Sequence, residues 1–390
     1  MNSTMSAQAI QRTPLEAKLP VIKVIGLGGG GSNAIDHMIE LGLEGVEYIA
    51  ANTDHQALER SHAPVKIQLG PILTRGLGAG GNPSIGQAAA EESLLALHDA
   101  LDGADMVFLT AGMGGGTGTG SIVVAARVAK SVGAVTVATV STPFSFEMGQ
   151  RQKNAQIGLS KLQPYTDTLI TVPNDRLLKV APRDLTLDLA FRLADDVLRQ
   201  GIQGITELIT QTGLINVNFA HVKQLMQNGG GSFMSIGQGQ GDAKAEQAIE
   251  QALNHPLLEQ IPIESASGII ANFTGGPDLT FLEVSEVLTR LQERTGNHVD
   301  IIPGVINDPR MKGKVQIILV ITGIGATAVD AEQEIAEVSI ADPEPVQMPI
   351  PEPAPVQFYQ KRMTEDMDVS TSNVNLDVPA FIRKRIFRHS

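Results

Sequence analysis

Two glycine-rich turns, GLGGGGSNA at 26–34 and TAGMGGGTGTG at 110–120, constrain this chain more than any other feature. Each follows a short apolar run, VIKVIGLG (21–28) and MVFLTAG (106–112), and each leads into a stretch with helical spacing. A strand, a glycine turn and a helix in that order let backbone N–H groups approach phosphate oxygens, and the helix N-terminus adds favourable partial charge. The first turn alone satisfies G-x-G-x-x-G and would suit the dinucleotide site of an NAD-dependent Rossmann enzyme. A second turn on the same sheet edge favours a triphosphate, which has more oxygens and more charge to hold. No G-x-x-x-x-G-K-[ST] occurs, which argues against a P-loop fold.

Three further runs, VEYIAANTD (46–54), AVTVATVSTPF (134–144) and DTLITVPND (167–175), read as buried strands with helical segments between most of them. That alternation predicts an α/β fold with a parallel sheet covered on both faces. The expected boundaries are a disordered arm at 1–19, a nucleotide-binding domain at 20–185, a long central helix at 186–213 and a loop leading into a smaller α+β domain at 214–325. An acidic, proline-rich linker follows at 326–372, with six prolines between 343 and 355. The last segment, 373–390, regains basic and apolar residues and reads as a recognition peptide on a tether.

The formal net charge of −13 disfavours nucleic acid as a partner, and the lack of cysteine excludes disulfides and thiolate metal sites. The first twenty residues lack a signal-peptide core and no run of 18 apolar residues occurs, so a cytoplasmic protein without direct membrane insertion is expected.

The segments GGGGSNA, NTDHQAL (52–58), GLGAGGNP (76–83), AGMGGGTGTG, PFSFE followed by Arg151, VPNDRLL (172–178) and LDVPAFIRKR together closely resemble FtsZ, the bacterial tubulin-like cell-division GTPase. The likeness covers about residues 20–325 and the final peptide. It implies a tubulin-like fold, a parallel-sheet GTP-binding domain joined by a long central helix to a smaller α+β domain. GTP or GDP would be the ligand, with Mg2+ held largely by phosphate oxygens and water.

Carried over residue by residue, the resemblance implies that Gly29, Gly30, Gly31, Ser32 and Asn33 form the first phosphate- and base-contacting loop. Gly116, Thr117 and Gly118 would cradle the outer phosphates, with Glu147 and Arg151 beside the ribose and phosphates. Asp195 would accept hydrogen bonds from the guanine edge, with Phe191 near the base. Asp196 is the adjacent alternative, since helix register decides which carboxylate points inward. Glu147 with Arg151 also reads as a plain i,i+4 ion pair, and Phe191 as core.

FtsZ and tubulin assemble head to tail, and in the family each subunit presents a loop to its neighbour's nucleotide. That loop normally reads N-x-D-F-A-D; here residues 216–221 read N-V-N-F-A-H, so Asn216 is retained while Asn218 and His221 replace both acids. Asn218 can orient water but cannot accept a proton as a carboxylate does. His221 facing a triphosphate would tend to be protonated and so unable to act as a base. Slow or absent hydrolysis is expected in filaments of this chain alone, the alternative being a fully active GTPase with an unusual loop. A further expectation is co-assembly with a second FtsZ, as a regulatory subunit of the midcell division ring. In the C-terminal peptide Leu376, Val378, Pro379, Phe381, Ile382 and Arg383 would bind membrane-tethering division proteins of the FtsA and ZipA type.

Overall fold

The computed structural model describes residues 19–324, apart from 148, 180–183, 212, 216, 228–230, 259–260 and 297–298. The linker and the C-terminal peptide, with Leu376, Val378, Pro379, Phe381, Ile382 and Arg383, lie outside the described residues, as do Asn216 and nearly all of the N-terminal arm.

The first half alternates strands and helices. In chain order these are β1 (Ile22–Leu27), α1 (Gly28–Glu40), β2 (Glu47–Asn52), α2 (His55–Arg60), β3 (Val65–Gln68), α3 (Pro83–Glu92), α4 (Leu94–Leu101), β4 (Met106–Gly112), α5 (Thr117–Ser131), β5 (Val135–Thr142), α6 (Gln150–Leu162), β6 (Thr168–Pro173) and the short α7 (Asn174–Leu177). Every pairing among β1 to β6 is parallel, in the order β3-β2-β1-β4-β5-β6. Both faces are covered, which is why β1 and β4 read as near-continuous apolar runs: Val24 and Phe108 enter one core with α1, while Ile25 and Leu109 enter the other with α5.

α8 (Leu187–Thr210) follows, started by Thr186, whose hydroxyl accepts from Leu189 N–H. Its 24 residues span roughly 36 Å at 1.5 Å per residue. Ala194, Val197, Leu198, Ile202, Ile205 and Leu208 form the buried stripe.

The second half contains α9 (Phe219–Gln227), β7 (Gly231–Gln240), α10 (Lys244–Leu253), β8 (Gly268–Gly275), α11 (Phe281–Thr295), β9 (Asp300–Asn307) and β10 (Lys314–Ile324). β10 lies antiparallel between β7 and β8, and β9 runs parallel to β8 at the sheet edge. The two halves share one ten-stranded sheet, because β6 and β7 pair in parallel at Leu169–Gly231 and Ile170–Ser232. Two strands escape the sequence patterns. β3 is a four-residue edge strand, VKIQ, too short and polar to stand out. β7, GSFMSIGQGQ, is diluted with glycine and glutamine of low strand propensity and forms because β10 pairs with nearly its whole length.

Candidate functional site

At the carboxyl ends of β1, β4, β5 and β6 a cavity of about 450 Å3 opens, the place where ligands enter parallel α/β sheets. Leu27, Gly29, Gly30 and Asn33 line it from the first glycine turn, and Gly112, Met113, Gly115, Gly116, Thr117 and Gly118 from the second. Ser141, Thr142 and Pro143 come from the end of β5 and the residue after it, Glu147 from the turn that follows, Arg151 from the start of α6, Asn174 from the start of α7, and Phe191, Ala194 and Asp195 from α8.

Each glycine turn starts a helix in this cavity. Neither the Leu27 cap of α1 nor the Gly116 cap of α5 supplies a side-chain hydrogen bond, and neither first turn carries an acid. The leading N–H groups of both helices therefore lack the usual internal acceptors and are suited to an anion. Arg151 is the one basic side chain among the described lining residues, and it is ion-paired with Glu147, whose Oε1 accepts from Phe144 N–H at 2.9 Å. Negative charge here would be met mainly by backbone.

α8 settles which of its two acids faces the cavity. Asp195 lies on the wall, where burial pushes its carboxyl up to about 7. Asp196 turns along the helix and is held by Arg199 Nε at 2.7 Å and Gln200 Nε2 at 2.6 Å. One turn earlier, Phe191 is 39% exposed, so it is not plain core. It packs edge-on against Phe144, which in turn stacks on Phe146. An acidic acceptor beside an aromatic platform suits a planar heterocycle carrying N–H donors.

The structure brings together Gly29, Gly30, Asn33, Gly116, Thr117, Gly118, Glu147, Arg151, Phe191 and Asp195. Gly31 and Ser32 are not among the lining residues. A Cβ at Gly31 would lie 2.4 Å from Thr110 O, so its lack of a side chain serves to seat α1 against β4. Ser32 is buried on the same helix, and its hydroxyl finds no partner among the described residues. Sequence reasoning passed over Ser141, Thr142 and Asn174. Asn174 lay within a motif already marked, VPNDRLL. It is buried, and its Oδ1 finds no donor among the described residues. An orphaned acceptor in a cavity wall fits a ligand that brings hydroxyl or N–H groups.

A second cavity, of about 460 Å3, lies beyond the far end of α8. It is lined by Ile215, Val217, Asn218, His221, Gln224 and Leu225 and by Asp300, Ile301, Ile302 and Pro303 of β9. Asn218 starts α9, its Oδ1 accepting from Ala220 N–H at 3.0 Å. His221 and Gln224 follow one and two turns later, both exposed. Asp300 is the only carboxylate among these lining residues, and nothing in the sequence associated β9 with the loop. From Asp195 to Thr210 the helix axis advances roughly 22 Å, and the two cavities share no residue. Among the described residues no group of three or more His, Asp or Glu side chains converges as a metal cage, and no helix is long and apolar enough to cross a membrane.

Residues 21–182 match the GTPase domain of the Tubulin/FtsZ family, and residues 230–325 match the C-terminal domain of the FtsZ family. The chain belongs to the FtsZ family. An FtsZ dimer from M. jannaschii is 44% identical, with a TM-score of 0.75 over 80% of this chain and 90% of that one. A single-substitution variant of the M. jannaschii protein is 45% identical, with a TM-score of 0.76 over 79% and 92%. CetZ2 from Haloferax volcanii, solved as a GTPγS-bound protofilament, shares the fold at 19% identity, with a TM-score of 0.67 over 79% of this chain and 94% of that one. The tubulin-like architecture expected from the sequence is therefore the fold of this chain.

The residues fit the guanine nucleotide that an FtsZ-family GTPase takes. Two uncapped helix starts face the same space, Asp195 and the orphaned Asn174 offer acceptors, and the aromatic cluster offers a flat wall.

Proposed function

We propose that this chain is a GTP-binding, filament-forming protein of the bacterial division ring, and that filaments built from it alone hydrolyse GTP slowly. The carrying observation is the chemistry of the lower cavity: the loop and α9 present Asn218 and His221 where the family pattern has carboxylates, and Asn218's oxygen already caps its own helix. On this reading residues 20–185 form the GTP-binding domain, and residues 214–325 carry the loop and the C-terminal domain. The phosphates lie on the glycine turns with Mg2+ between their oxygens and water, the base lies on Phe191, and its N–H groups donate to Asp195. Asn218 and His221 are too far along α8 to act on their own molecule's nucleotide, so they serve the next subunit in a head-to-tail filament.

Nucleotide binding and activation of the neighbour thereby sit at opposite ends of the subunit and are separable. Docked under an FtsZ whose loop keeps its acids, this chain's GTP is hydrolysed, while the GTP of the subunit facing its own loop persists. That is the behaviour of a regulatory subunit that slows filament turnover. The C-terminal peptide ties the filament to membrane-tethering proteins of the FtsA and ZipA type at midcell, keeping the chain itself in the cytoplasm.

One observation favours a second reading. Asp300 lines the same cavity as His221, so β9 can supply a carboxylate that the loop lacks, which would make the chain an active GTPase with a rebuilt site. Phosphate release separates the two. With GTP and Mg2+ above the assembly concentration, slow release by this chain alone, and faster release after adding an acid-loop FtsZ whose own nucleotide pocket is disabled, support the regulatory subunit. Rapid release by this chain alone, lost on Asp300→Asn, would establish the rebuilt site instead.

A further inference from the structure

Behind the second glycine turn lies a groove of about 430 Å3 that includes Gly81, Gln150, Asn154 and Lys161. Asn154, on α6, is 7% exposed, and its Nδ2 donates both to Gly114 O at 3.2 Å and to Gly81 O at 3.3 Å. Its Oδ1 accepts from Gln150 Nε2 at 3.0 Å, which fixes the orientation of the amide. One side chain thus joins the loop at 76–83 to the turn at 110–118.

The bond to Gly114 has a directional consequence. In a planar trans peptide the carbonyl of one residue and the N–H of the next point in opposite directions. With Gly114 O drawn back to Asn154, the N–H of Gly115 is directed away from Asn154, and Gly115 lines the upper cavity. Gly114 N–H is also committed, donating to Thr119 Oγ1 at 2.8 Å. Glycine flanks this peptide on both sides, and Gly114 has φ of +102°, a conformation that disfavours side chains. A Cβ there would also meet Arg151 O at 2.8 Å. Neither residue of the Gly114–Gly115 peptide carries a side chain to oppose its rotation, and rotation would turn a carbonyl toward the anion.

We infer that Asn154 is a positioning residue for phosphate binding: it locks the Gly114–Gly115 peptide with the N–H toward the nucleotide's phosphate chain and pins the neighbouring glycine loop in register. This rests on the proposal that the upper cavity holds GTP. The effect belongs to the outer phosphates and not to the base.

The test compares GTP and GMP affinities by calorimetry for the full chain, Asn154→Ala, Asn154→Asp and Asn154→Gln, with folding checked by circular dichroism. Asp is close to isosteric and keeps the acceptor for Gln150, yet cannot donate to either carbonyl, so it serves if the Ala variant does not fold. Loss of one N–H bond to a charged group predicts GTP binding weaker by about tenfold to a hundredfold in the Ala and Asp variants, with GMP changed less than about twofold. Asn154→Gln, with the groove to accommodate its longer arm, regains most of the GTP affinity. Unchanged GTP affinity in Asn154→Asp, or equal losses for GTP and GMP, would overturn the role of Asn154 while leaving GTP binding in place. A parent chain that binds no GTP would overturn the nucleotide assignment and this inference with it.

Discussion

At one end of α8 the cavity wall carries Glu147, Arg151, Asn174 and Asp195 around two uncapped helix starts; at the other, the loop and α9 present Asn218, His221 and Gln224 beside a single carboxylate from β9. The upper end offers both donors and acceptors, the chemistry that the proposed guanine nucleotide would require. The lower end carries amides and an imidazole able to orient water, with Asp300 as the carboxylate among its lining residues. Because α8 separates the ends by more than 20 Å on the helix rise, a change at one leaves the other intact. On the proposed reading, a site assembled between subunits would lose its activating half and keep its binding half.

The largest expected effect comes from making the two ends alike. Asn218→Asp with His221→Asp restores the missing carboxylates, and phosphate release by filaments of the variant is expected to rise by about a hundredfold, within the range that positioned acids and bases contribute. A rise below about threefold would show that the loop acids are not what distinguishes this chain.

Damage to the upper end has the next largest effect. Asp195→Ala removes the acceptor for the base and is expected to weaken GTP binding by about tenfold to a hundredfold and to erase preference over ATP. Competition between the two nucleotides in a fluorescence titration reads both. Equal discrimination in parent and variant would break the assignment of Asp195 to the base.

The titration of Asp195 gives a smaller effect with a defined sign. Burial holds its folded pKa at about 7, above the unfolded value, so the ligand-free protein keeps the proton to higher pH than the unfolded chain does. This contribution to stability is greatest at acid pH and falls as pH rises from about 4 toward 7. Chemical denaturation should show that slope in the parent and lose it in Asp195→Asn. Donors on the base favour the carboxylate, so GTP binding should weaken by about tenfold from pH 8 to pH 6 and release a proton near neutrality. Binding heats in buffers of different ionisation enthalpy measure that proton directly.

The smallest effect is expected at Arg151. Its guanidinium is largely exposed and already paired with Glu147, so Arg151→Met should weaken GTP binding by only about twofold to fivefold, as exposed pairs contribute little. A loss as large as that from Asp195→Ala would mean that the upper end relies on side-chain charge and not on helix N-termini.

The elements legible beforehand were those whose signal is local. β1 and β4 announced themselves as apolar runs before glycine turns, and the central helix through its apolar period and the Thr186 cap. The glycine turns, Glu147 and Arg151 were singled out by motifs, and Phe191 and Asp195 by the family resemblance, and all of these regions line the upper cavity; Gly31 and Ser32 do not, and at Gly31 a Cβ would meet Thr110 O. β3 and β7 were missed because their strand character comes from neighbours. Asn174 stood in plain view within VPNDRLL, yet only burial shows that its oxygen lacks a partner. Asp300 carried no signal, since what matters is its position beside α9, some eighty residues earlier in the chain.

The sequence by itself determined the alternation that makes a parallel sheet, the two glycine turns that each lead into a helix, and the presence of Asn218 and His221 in the segment before and within α9, because backbone permissiveness and side-chain chemistry are properties of single residues and short spacings. The tertiary structure alone decided that Asp195 and not Asp196 faces the cavity, that Asp300 joins His221 at the lower end, and that Asn154 holds two glycine loops at once. Those outcomes depend on helix phase and on contacts between residues distant in sequence, which exist only once the sheet and α8 have packed.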